Sequence, residues 1–304
     1  LDRMSFNFSF PGMDIYLGRQ AFGWGDSRLI SPLDVLTPFQ FDDLDKEERA
    51  GVDAARFLVS FGTFNEFSGG YVFGDKGEFR NSAVYLRTRL HFLDTDLKLL
   101  TLGYRNHLMA GFSSTRSLGG AGIWLEGAWT ACGVLDSGWE SSNDFFRLTL
   151  GSDYNFNEKF YGYAEYHYSS AGKGDPEDYL SNFKTPAYES GGVYLMGRHY
   201  LGLGGNFQIM PLLNLGFAGM WNISDLSFSV MPSLEYNVAE DIYISWGGVL
   251  GLGKGPAFKS IDPGSIALES GDIGIGSILE EGFDPGSEFG MMSNMCYMSM
   301  RFYF

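Results

Sequence analysis

The sequence predicts an all-β protein: a single antiparallel up-and-down β-barrel of about sixteen strands that crosses a membrane. Three observations predict it. Apolar and polar residues alternate with period two along most of the 304 residues. Several alternating runs have the ~9–11 residues that cross a bilayer at a tilt. The connections between runs sort into a short set and a long set, as the two ends of a membrane barrel do.

The first run, Met4-Ser5-Phe6-Asn7-Phe8-Ser9-Phe10, places Met and Phe on one face and Ser and Asn on the other. This is the side-chain period of a strand. Strands are expected over 3–10, 13–25, 54–63, 68–75, 83–93, 97–107, 108–115, 120–132, 144–156, 159–170, 197–209, 212–223, 226–238, 241–253 and 291–304. In 83–93, Val84, Leu86, Leu90 and Phe92 oppose Tyr85, Arg87, Arg89 and His91. In 212–222, Leu213, Leu215, Phe217 and Trp221 oppose Asn214, Gly216 and Asn222. The apolar face carries almost no charge, while the polar face carries isolated Arg and Glu. That is the pattern of lipid outside and water inside.

The short connections are Pro11-Gly12, Asp94-Thr95-Asp96, Asn157-Glu158, Met210-Pro211 and Ala239-Glu240. The long, polar ones are 26–53, 133–143, 171–196 and 254–290. A soluble all-β protein has no reason to sort its loops by side. Fifteen strands are readable, and single-chain barrels usually have an even number. The chain begins inside a strand at Leu1-Asp2-Arg3, so the expectation is one barrel domain over 1–304 with a further strand before it. Fourteen strands, with one short strand misassigned, is the alternative. Pro232 cannot donate a ladder bond, and a bulge or strand end is expected there.

Composition narrows the classes. Hydrophobic residues make up 44 %, yet no stretch approaches the ~18–20 continuous apolar residues of a membrane helix. Aromatics reach 16 %, Gly numbers 42 and the formal charge is −16, which suits aromatic girdles and polar loops. Without a basic stripe to follow phosphates, nucleic-acid binding is excluded. Cys132 and Cys296 lie outside any CxxC motif; they are either two free thiols or one disulfide. The four histidines lack metal-ligand spacing and no phosphate loop is present, so neither metal nor cofactor is expected.

The segment Tyr297-Met298-Ser299-Met300-Arg301-Phe302-Tyr303-Phe304 is similar to the terminal strand of Gram-negative outer-membrane barrels. The resemblance implies an integral outer-membrane protein recognised by the barrel-assembly machinery through Phe302 and Phe304. Leu17-Gly18-Arg19-Gln20, Trp24-Gly25, Ser31-Pro32-Leu33-Asp34-Val35-Leu36-Thr37-Pro38, Gly197-Arg198-His199-Tyr200-Leu201-Gly202-Leu203 and Gly286-Ser287-Glu288-Phe289-Gly290 together resemble porin-like barrels of unassigned role. The likeness to alginate-export barrels is looser. The expectation is an outer-membrane porin or channel for passive diffusion of small polar or anionic solutes, with a homo-oligomer as an analogy from porins. A structural or partner-binding barrel with a plugged lumen is the alternative, and a barrel lipid hydrolase is the least favoured.

The candidate functional residues are the inward charges expected to line the pore: Arg56, Arg87, Arg89, Arg105, Glu126, Arg147, Asp153, Glu165, Arg198, Glu235 and Arg301. Charge rings of one sign set channel selectivity; the other reading is that these residues pair across the lumen and stiffen the wall. The lumen leans towards arginine, whereas Phe41-Asp42-Asp43-Leu44-Asp45-Lys46-Glu47-Glu48 is acidic. That split implies anionic or polar solutes inside, and outside an acidic mouth whose divalent cations bridge lipopolysaccharide. Loops 26–53 and 254–290 are long enough to fold inward and narrow the pore, or the second is an external flap. His167-Tyr168-Ser169 is similar to the His-x-Ser spacing of outer-membrane phospholipases. Here, however, it shares the inward face of Glu165, and Ser170-Ala171-Gly172 stands where that family has Asn-Gly.

Overall fold

The computed structural model describes residues 3–36, 51–74, 81–135, 139–258 and 283–302. In chain order the strands are β1 (Met4–Phe10), β2 (Met13–Gln20), β3 (Val52–Phe61), β4 (Asn65–Val72), β5 (Ala83–Phe92), β6 (Thr95–Tyr104) and β7 (His107–Leu118). They continue with β8 (Ala121–Ala131), β9 (Phe145–Asn157), β10 (Phe160–Ser169), β11 (His199–Met210), β12 (Leu213–Asn222), β13 (Ser227–Ala239) and β14 (Ile242–Leu252). A two-residue pair, β15 (Ala257–Phe258) and β16 (Phe283–Asp284), precedes β17 (Met295–Phe302). Two single-turn helices, α1 (Tyr179–Asn182) and α2 (Pro186–Glu189), sit between β10 and β11.

Every long strand pairs antiparallel with its sequence neighbour, giving one fifteen-stranded sheet in the order β1 to β14 and then β17. All fifteen expected strands form, so the fourteen-strand alternative falls. The edge strands β1 and β17 both run from the loop end to the short-turn end, which bars an antiparallel ladder between them. No helix among the described residues is long and apolar enough to cross a membrane.

The alternation read from sequence becomes the two faces of the wall. Phe6, Leu86, Phe217 and Met298 point outward and are 60 %, 49 %, 41 % and 70 % exposed, an apolar belt that a soluble protein would hide. Aromatic pairs mark its two borders. Phe156 stacks on Phe160 (5.0 Å) beside the turn joining β9 and β10, and Trp221 stacks on Phe228 (5.4 Å) at the opposite end of the wall. These are the girdle positions of a membrane barrel.

Several details differ from expectation. The Pro11-Gly12 turn forms where expected, and the other four short turns start one residue from their predicted places. Leu93 and Asp94, at φ 50° and 57°, make the connection of β5 to β6 in the manner of a type I′ hairpin turn. The loop end also has short links, at 105–106 and 223–226. Pro232 produces neither a bulge nor a strand end. The register of β13 on β14 is the same at Val230↔Leu250 and Ser233↔Gly247, while the two rungs between them are missing. The lost donor is absorbed as a gap in the ladder. Cys132 and Cys296 are free thiols.

Candidate functional site

Strand β2 stops at Gln20, five residues before its expected end, and residues 21–36 turn back into the barrel. The segment alternates like a strand through Phe22 and Trp24, but it joins no strand ladder among the described residues; the amides of residues 24–29 go to carboxylates instead. Glu126 on β8 accepts from the amides of Asp26 and Ser27 (2.9 Å for Ser27) and from the Ser31 hydroxyl (2.7 Å). Glu165 on β10 accepts from the amides of Arg28 (2.5 Å) and Leu29 (2.7 Å) and from the Trp124 indole (2.9 Å). Asp34 closes the loop on itself by accepting from the Trp24 and Gly25 amides (2.6 and 3.2 Å). Arg147 donates to the Pro32 carbonyl (2.8 Å) and Thr149 to that of Ile30 (3.0 Å). Backbone groups driven into a buried place must be paired, and here the barrel wall pairs them.

Apolar packing fixes the same loop. Phe22 and Trp24 meet Tyr85 at ring-centroid distances of 5.5 and 5.1 Å, in a cluster with Leu33, Leu102 and Met109. Leu29 and Ile30 join a second cluster with Tyr200, Met220 and Phe289. The loop end of the bore is therefore a packed interior.

A second loop docks on the other side. Glu288 accepts from the Tyr200 hydroxyl (2.5 Å), the Asn222 amide (2.7 Å) and the Met196 backbone (2.9 Å). Its own amide donates to Asp225 (2.7 Å). Burial pushes the Glu288 carboxyl up to about 7, against the pull of the Tyr200 hydrogen bond. The segment 254–290 thus folds inward at its described C-terminal part; 259–282 lies outside the described residues.

The predicted pore residues divide into three sets. Glu126, Arg147 and Glu165 are buried beneath the inserted loop and hold it rather than facing an open path. Arg105 and Arg198 stand at the loop-end rim. Arg105 occupies the β6–β7 turn at φ 50° and donates to the Ser190 carbonyl (2.8 Å), and Arg198 precedes β11 and donates to the Gly172 carbonyl (3.2 Å). The remaining charges lie on the inward face of the wall. Arg87 pairs with Glu66 (3.2 Å) and Arg89 with Asp96 (3.3 Å), and Arg301 pairs with Glu235. Asp153 takes the Arg28 guanidinium (2.6 Å). Arg56 lies over the Tyr16 ring (4.3 Å) and makes no ion pair among the described residues. The Nε groups of Arg56, Arg87 and Arg89 are unpartnered there too. Phe302 lies on the lipid face, 51 % exposed; Phe304 and the acidic stretch 41–48 lie outside the described residues.

Three site residues escaped sequence reasoning: Asp26, Arg28 and Asp34, all on the inserted loop. Asp26 receives Lys98 (2.6 Å) and the Ser113 hydroxyl (2.5 Å), while Arg28 covers Trp124 (5.2 Å). The available signal was the run Phe22, Trp24, Leu29, Ile30, Leu33 in what should be a polar loop. His167 directs Nδ1 to Thr149 (2.8 Å) and the Ser169 hydroxyl has no partner among the described residues, so the two do not form a base–nucleophile contact.

No protein-family model and no curated protein sequence matches this chain. Solved structures do. OccK5 (OpdH) of Pseudomonas aeruginosa superposes with a TM-score of 0.54 at 10 % identity, covering 81 % of this chain and 75 % of that one. The fold is that of outer-membrane porins. OccK10 (OpdN) of the same organism gives 0.53 at 13 % identity, over 81 % and 77 % of the two chains. Its OccK2 (OpdF), solved in complex with glucuronate, gives 0.54 at 9 % identity, over 81 % and 74 %. At such identities the likeness is one of fold, and it agrees with the porin-like resemblance of the sequence.

Proposed function

We propose that this porin-fold chain is an outer-membrane channel for passive diffusion of small polar solutes, with a preference for anions. The observation that carries the preference is the arginine group on β3 and β5. Arg87 pairs with Glu66 and Arg89 with Asp96, while Arg56 has no carboxylate partner among the described residues, so the group keeps a net positive charge. Such a group draws an anion into a bore walled by low-dielectric material, where fields focus. The paired charges elsewhere in the bore, Glu235 with Arg301 and Asp153 with Arg28, largely cancel. The glucuronate held by OccK2 (OpdF), a carboxylate solute, supports the same reading. Reversal potentials of the purified protein across a salt gradient test it: anion selectivity is expected, and a cation-selective bore rejects it.

A second reading has its own observation. The buried clusters formed by residues 21–36 and 289–292 close much of the loop end, as a plugged structural barrel would. The absence of steady conductance in planar bilayers would favour it.

A further inference from the structure

Strands β10 to β14 and β17 line an open cavity of about 560 Å³, bordered on the lumen face by Tyr163, Asn206, Ser233, Tyr297 and Ser299 and reaching through the wall to Phe217 and Met298. That lies within the ~300–1,000 Å³ of small-molecule sites. Its two tyrosines are set alike. Tyr163 faces Gly204 and Tyr297 faces Gly247 across the strand ladders. A Cβ on either glycine would overlap the outer half of the tyrosine ring. Each ring therefore lies along the wall over its glycine, one face against backbone and the other towards the cavity.

The polar groups around them are accessible and are not used by the fold. The Tyr163 and Tyr297 hydroxyls, the Asn206 amide and the Ser233 and Ser299 hydroxyls make no hydrogen bond to another described residue. The one charged pair in the lining, Glu235 with Arg301, neutralises itself. The chemistry of the occupant follows by exclusion. An ion finds no unpaired charge there. An alkyl chain would leave these donors and acceptors without partners, which costs free energy. A ring with apolar faces and hydroxyls around its edge meets both demands.

We propose that this cavity is a binding site for an uncharged pyranose sugar, stacked on Tyr163 and Tyr297 with its hydroxyls to Asn206, Ser233 and Ser299. This goes beyond the anion preference and rests on the channel reading only in that the bore gives access; binding is measurable without conduction. The test is isothermal titration of the purified full chain in detergent with D-glucose, using potassium succinate as a charged solute without a ring. Glucose is expected to bind in the ~millimolar range, weak enough for a passage site. Tyr163→Ala and Tyr297→Ala each weaken it about tenfold through lost ring contact. Asn206→Leu, which leaves both rings in place, weakens it severalfold, and heat-modifiable migration on gels verifies that each variant is folded. Undetectable glucose binding, or equal binding in the folded variants, overturns the proposal. Either outcome beside an anion-selective bore leaves the channel reading standing, and tyrosine-dependent glucose binding beside a cation-selective bore does the reverse.

Discussion

Arg28 and Glu165 are joined backbone to carboxylate: the Arg28 amide donates to Oε1 at 2.5 Å, and the next amide, of Leu29, donates to Oε2 at 2.7 Å. One side chain of the wall thus holds two successive residues of the inserted loop. The guanidinium of Arg28 is left to reach Asp153 at 2.6 Å. Glu126 repeats the device two residues earlier with Asp26 and Ser27. The loop is held both by these backbone bonds and by the packing of its apolar side chains Phe22, Trp24 and Leu33.

Glu165→Ala strands three donors, the Arg28 and Leu29 amides and the Trp124 indole. Each unsatisfied buried donor costs about 1–3 kcal/mol, so stability measured by urea unfolding in lipid vesicles should fall by roughly 3 kcal/mol or more. Loosening of residues 21–36 should also raise single-channel conductance. Unchanged stability and conductance would mean that the loop does not depend on this carboxylate.

The face assignment has a direct test on β12. Phe217 is outward and 41 % exposed. Phe217→Arg should cost about 2–4 kcal/mol, the penalty for a cation near the bilayer midplane. Asn214→Arg, on the lumen face of the same strand, should change stability by no more than about 0.5 kcal/mol. Equal costs would contradict the lipid-out register.

Docking of the Glu288 loop should depend on pH. Burial raises this carboxyl from 4.5 to about 7, and the neighbouring Asp225 charge acts in the same direction. The docked loop therefore favours the protonated form. Its contribution is complete below about pH 4.5 and is lost as pH rises through about 7. Amide exchange of residues 287–292, corrected for intrinsic rate, should accelerate between pH 5 and pH 8. Glu288→Gln should flatten the dependence, and slower exchange at high pH would contradict it.

The wall was legible in the sequence because a strand writes its environment locally. Leu215 and Phe217 alternate with Asn214 and Gly216, and no distant information is needed to assign the faces. The inserted loop was legible only in part. Its length suggests an inward fold, but Ala21-Phe22-Gly23-Trp24 alternates just as β2 does, so alternation alone predicts a strand five residues too long. The partners that decide its path, Glu126 and Glu165, lie about a hundred residues or more away in sequence. No local pattern separates a carboxylate that holds a loop from one that faces water. The same limit applies to Arg105, whose place in a turn follows from a two-residue link that alternation does not reveal.

The arginine group is the centre of the functional account, and its sign is measurable. Under a tenfold potassium chloride gradient in planar bilayers, the reversal potential of the intact chain should lie on the chloride side of zero. Arg56→Glu should move it towards the potassium side, because it replaces the cation that has no carboxylate partner among the described residues. A wild-type potential on the potassium side, or one that Arg56→Glu leaves in place, would contradict the account.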